Sequence, residues 1–189
     1  NPELVPVTPE GQRATRERTY FDWAYICPTH DGYREGLLEI VEDCTAVHPD
    51  VRLDDVGFPR PEYCYCDRCN ENFESWARNR HEEGEGPPPE ETTIEDRYAW
   101  RADVITEFVR AAVDRIPGRT YMTLYPDPYE GHLYERAGID LEAIEPYCAE
   151  TTTDVAAGTA DAEVVFVAVN PEAVEAVLAD LDLSSEQTL

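Results

Sequence analysis

Three cysteines fall within six residues in Cys64-Tyr65-Cys66-Asp67-Arg68-Cys69. Close spacing of thiols on one loop is what a tetrahedral Zn²⁺ shell of soft, deprotonated ligands demands. Cys27 ends the aromatic, apolar run Tyr20–Cys27 and is the expected fourth ligand, since neighbouring parallel strand ends lie about 5 Å apart. Four thiolates leave no open position for water, so the expected zinc is structural. An iron–sulfur cluster and unligated thiols are the alternatives. Cys44 and Cys148 sit in apolar helical contexts and read as small core residues.

The second candidate chemistry lies just before the cysteines. Val51–Phe58 is apolar apart from Arg52 and the adjacent carboxylates Asp54 and Asp55. Acids at the mouth of a buried strand are costly unless used or paired, which makes them candidate acid/base groups. Capping the loop, or pairing with Arg52 or Arg60, is the bland alternative. Further polar groups follow other expected strands: Tyr25 and His30 after the first, Arg60 after the second, Tyr125 and Asp127 after the third. Aromatics and carboxylates gathered at one mouth suit sugar rings, so these five are the candidate substrate-binding residues.

Strands at Tyr20–Cys27, Val51–Phe58 and Thr120–Tyr125 alternate with helical patterns. The first helix should run from about Tyr33 to Ala46, and a short one should follow the cysteines. The longest runs from Trp100 to Ile116, and two short pieces lie around Leu133–Ala137 and Asp140–Tyr147, separated by Gly138. The opening residues read as a hairpin or irregular segment around Pro9-Glu10-Gly11. The acidic, proline-bearing segment from Glu82 to Glu95 reads as a solvated loop. Residues 150–189 lack arginine, tryptophan and tyrosine, and add a strand at Ala162–Val169 and a helix at Val174–Leu181. Alternation of this kind implies a parallel sheet. The expected fold is an α/β parallel (β/α) barrel of TIM type. It would be partial or truncated, because eight units need about 250 residues and the chain has 189. Residues 1–149 would form the partial barrel, and 150–189 a further strand–helix unit.

The cysteine loop, the acid-ending strand and Phe73 together resemble the (β/α)₈ glycoside hydrolases of the family 42 β-galactosidase kind. They are also similar to a wider set of haloarchaeal hydrolase-like barrels. The resemblance covers about Tyr20 to Tyr129. It implies a structural zinc on the cysteines and glycosidic-bond hydrolysis, with Asp55 standing where the family carries the glutamate of an Asn-Glu acid/base pair. The pair here is Asp-Asp. A retaining mechanism also needs a second carboxylate about 5–5.5 Å from the first, and Asp161 and Glu163 precede a strand rather than follow one. A non-catalytic zinc-stabilised scaffold that binds carbohydrate or a protein partner is the competing expectation.

Forty-one acidic residues against fifteen basic ones give a net charge of −26, and every basic residue is arginine. Such self-repulsion suits a salt-rich interior, where charge is screened over roughly 3 Å at 1 M. The expected setting is the cytoplasm of a salt-accumulating cell. Secretion stays open because the chain begins at Asn1 without a methionine. The charge argues against nucleic acid or an anionic membrane as partners, and no run of about 18 apolar residues is present.

Overall fold

Helix α3 (Ile94–Val113) is the element around which the others pack. Thr93 and Asp96 open it with a reciprocal capping box, the Thr93 N–H donating to Asp96 Oδ2 at 2.8 Å. Its apolar stripe buries Trp100, Ile105, Phe108, Val109 and Ala112. Each large side chain so buried contributes about 1.5–3 kcal/mol. The computed structural model describes residues 4–14, 26–54, 56–124 and 131–148, all within the unit Asn1–Cys148.

Along the chain come α1 (Asp31–Thr45), β1 (Val51–Leu53), α2 (Asp67–Glu82), a 3₁₀ turn at Pro89–Glu91, α3, β2 (Thr120–Met122), α4 (His132–Ala137) and α5 (Leu141–Ile144). α1, α2, α4 and α5 all contact α3. Two apolar clusters result. One gathers Leu38, Val41, Val51, Leu53, Phe108, Ala112 and Ile116 between α1, β1 and α3. The other joins Phe58, Tyr63, Trp100, Leu133 and Ile144 to the cysteines.

The expected TIM-type barrel, partial or truncated, is not what forms. Among the described residues the sheet is a single parallel pair, with Val51 opposite Thr120 and Leu53 opposite Met122. The described residues are mainly helical. The cause lies at the end of β1. After Leu53 the chain leaves the ladder, Gly57 takes φ +157°, and the Phe58 N–H donates to Ala137 O at 2.8 Å at the end of α4. Apolar character that reads as a long strand at Val51–Phe58 is spent partly on packing Phe58 against Trp100, with ring centroids 5.8 Å apart. The strand expected at Thr120–Tyr125 likewise stops at Met122.

Several local expectations hold. Val7 and Arg13 form an antiparallel bridge across the Gly11 turn. Gly138 ends α4 in the left-handed region at φ +69°. α2 is longer than the short helix expected after the cysteines. Cys44, expected in the core, is exposed on α1, and Cys148 is half-buried. Most of the Tyr20–Cys27 strand, and the strand and helix expected after residue 150, lie outside the described residues. No helix among the described residues is long and apolar enough to cross a membrane.

Candidate metal centre

Four cysteines converge at the buried base of α2. Cys66 is the N-cap of this helix and Cys69 lies in its first turn. That places both thiols at the positive end of the helix dipole, which favours thiolate, and the Cys69 backbone N–H further favours the Cys66 anion. Cys27 arrives from a separate segment, fixed where its N–H donates to Leu4 O at 2.8 Å. Its Sγ lies 3.3 Å from that of Cys69 and 3.9 Å from that of Cys66. Cys27, Cys66 and Cys69 can together hold a metal ion, their sulfurs all lying within 4.8 Å of one another.

Cys64 acts electrostatically on Cys27 and Cys69 but lies outside the group whose sulfurs are all within 4.8 Å of one another. It is fully buried and adopts φ +68°, a region that costs a side-chain-bearing residue roughly 1–2 kcal/mol. Backbone held in such a conformation is a mark of a functional constraint. The surroundings fix it there: Arg97 Nη2 donates to Cys64 O at 2.8 Å, and Arg101 Nη2 donates to the carbonyls of Arg60 and Tyr63 just upstream. Thr29, also buried, lies with its hydroxyl 3.2 Å from both Cys27 and Cys69 Sγ.

The thiols do not titrate alike. Cys27 is pushed far below the ordinary thiol range because the thiols of Cys64, Cys66 and Cys69, and then Thr29, stabilise its anion. The proximity of that anion pushes Cys69 and Cys66 up, and burial pushes Cys64 up. Stabilising one thiolate thus disfavours a second in the cluster. A bound cation would reverse this, since coordinated thiols are deprotonated outright.

The remaining candidates that are described do not share one site. Asp54 is exposed directly after β1. His30 is the N-cap residue of α1, its carbonyl accepting from Tyr33 and Arg34. Arg60 sits 3.7 Å from Glu62 and, with Pro61, Glu62, His132, Glu135 and Arg136, lines a cavity of about 350 Å³. Asp54 is not among the lining residues. Asp55, Tyr25, Tyr125 and Asp127 lie outside the described residues.

Reasoning from sequence missed Arg97, Arg101 and Thr29 around the cysteines, and Glu62 and Glu135 in the cavity. The arginines left a signal. They fall at four-residue spacing in register with Ile105 and Val109, on the stripe that the helix buries. Scans against protein-family models and searches of curated proteins and solved structures find no match to this chain.

Proposed function

We propose that Cys27, Cys64, Cys66 and Cys69 bind one zinc ion and that this ion is structural. The carrying observation is the fit of the sulfur separations to a metal shell. A Zn–S bond of about 2.3 Å in a tetrahedron puts neighbouring sulfurs about 3.8 Å apart, and the separations of Cys27 from Cys69 and Cys66, 3.3 and 3.9 Å, lie either side of that value, with Cys64 of the same loop as the proposed fourth ligand. They are far from the roughly 2.0 Å of a disulfide. Four thiolates fill the shell, so the ion would tie the Cys27 segment, the Arg60–Cys66 loop and the start of α2 together without activating water. Metal analysis of the purified chain tests this. One zinc per chain, lost in Cys69→Ala, is expected; a metal-free protein that takes up no added zinc would refute it.

Hydrolysis of glycosidic bonds by Asp54 and Asp55 is the second reading. It draws on the exposure of Asp54 at the carboxyl end of a strand in a parallel pair, the edge at which parallel sheets collect ligands. Carbohydrate would be the partner, held by residues such as Arg60. Aryl-glycoside turnover that disappears in Asp54→Asn and Asp55→Asn would support it. Turnover unchanged in both variants would remove these residues from any such role.

A further inference from the structure

Arg97 and Arg101 are 7% and 1% exposed on α3. A guanidinium keeps its charge at any physiological pH, and burying it without an anion is costly. Neither arginine has a carboxylate partner among the described residues, in a chain that carries 41 acidic side chains. Their satisfied atoms face backbone carbonyls and, for Arg97, Asn70 Oδ1 at 3.0 Å. Arg97 Nε and Arg101 Nε and Nη1 are buried with no hydrogen-bond partner among the described residues. Aromatic faces surround both: Tyr65 lies 4.0 Å and Trp100 5.3 Å from Arg97 Cζ, and Phe58 lies 4.6 Å from Arg101 Cζ. Burial lowers both guanidinium pKa values, and negative charge on the clustered cysteines would offset that burial.

A divalent cation in four thiolates leaves a centre with two negative charges. Two guanidiniums cancel that charge, whereas a monovalent ion would leave an excess of negative charge and a trivalent ion an excess of positive charge. We infer that Arg97 and Arg101 are the built-in counter-charges of the cysteine centre and bias it towards a divalent cation. The inference rests on the four-thiolate reading. It also accounts for the positions of the arginines. Each holds a carbonyl of the loop carrying Cys64, so the residues that shape the loop also neutralise what it binds.

The test compares Arg97→Gln and Arg101→Gln, which remove charge, with Arg97→Lys and Arg101→Lys, which keep it. Co²⁺ binding to the full chain is followed through its thiolate-to-metal absorption and competition with a chelator. Supporting partners of a metal shell are typically worth 10–100-fold in affinity, so each glutamine variant should bind Co²⁺ at least about tenfold more weakly. The lysine variants should recover most of that loss. In iron-loaded protein, the glutamine variants should also lower the Fe(III)/Fe(II) midpoint potential, because the reduced centre is the more negative one. A wild-type chain that binds Co²⁺ with glutamine variants indistinguishable from it, or with lysine variants equally impaired, overturns the counter-charge role and leaves the metal centre standing. A wild-type chain that binds no Co²⁺ overturns both. If one glutamine variant does not fold, the substitutions at the other arginine make the same comparison.

Discussion

Cys64 combines two properties that pull in opposite directions. Its backbone sits at φ +68°, where a Cβ is unfavourable, yet its side chain is fully buried against Cys27 and Cys69. Glycine would relax the backbone and alanine would not, while both delete the thiol. With metal withheld, Cys64→Gly should be more stable than Cys64→Ala by about 1 kcal/mol in urea unfolding. Both should weaken Co²⁺ binding alike. Equal stabilities would mean that the left-handed conformation carries no strain here. Asp50 makes a different kind of contribution at the start of β1. Its Oδ1 accepts from the Arg119 backbone N–H at 2.8 Å and its Oδ2 from Arg119 Nη2 at 3.1 Å. The backbone contact is the main cause holding the carboxyl below its usual range. A carboxyl with a lowered folded-state pKa stabilises the fold above its unfolded value of about 3.9, and that contribution fades as the pH falls through the folded value. Asp50→Asn should therefore be less stable than the parent at neutral pH. The gap should close in strong acid, as followed by denaturant unfolding across a pH series.

At the scale of elements, the junction of α4 with α3 is the tightest constraint near the metal site. Gly138 ends α4 at φ +69°, and a Cβ there would lie 2.9 Å from both Arg101 Cβ and Arg101 O. Gly138→Ala combines left-handed strain with overpacking against the backbone of α3, and should cost about 2 kcal/mol or more in unfolding free energy. A cost below about 0.5 kcal/mol would show that the two helices separate freely. Gly138 also illustrates what could be read from the chain alone. A glycine between two helical patterns signals a left-handed helix end without reference to anything distant. The stripes of α1 and α3 were equally local and equally legible. Val51–Phe58 was not, because its alternation could not show that the Phe58 N–H finds Ala137 O, far along the chain, instead of a strand partner. The cysteines were legible because three ligands share one loop. The buried arginines escaped because an arginine on an apolar stripe looks like a solvated residue until its surroundings are known.

At the scale of the whole molecule, net charge opposes folding, and the proposed metal would favour it. A charge of −26 favours expansion, and the described sheet is only two short strands, so cohesion falls to the packing on α3 and to the cysteine cluster. The cluster joins two segments that are far apart in sequence, the residues near Cys27 and the Cys64–Cys69 stretch that opens α2. An ion bound only in the folded state stabilises it in proportion to the logarithm of its concentration over Kd, about 4.1 kcal/mol at a thousandfold excess. In a chain of this length each kcal/mol moves the melting midpoint by about 2–4 °C. If the site holds zinc as proposed, stripping it with a chelator at fixed salt should lower the midpoint by about 8–16 °C, and readdition of zinc should restore it. Protons compete with metal for the thiolates, so the same stabilisation should shrink as the pH is lowered. The Cys69→Ala variant provides the control: its midpoint should already be low and should not respond to chelator. A parent chain equally indifferent to chelator, zinc and mild acid would show that packing on α3 alone holds the two segments together.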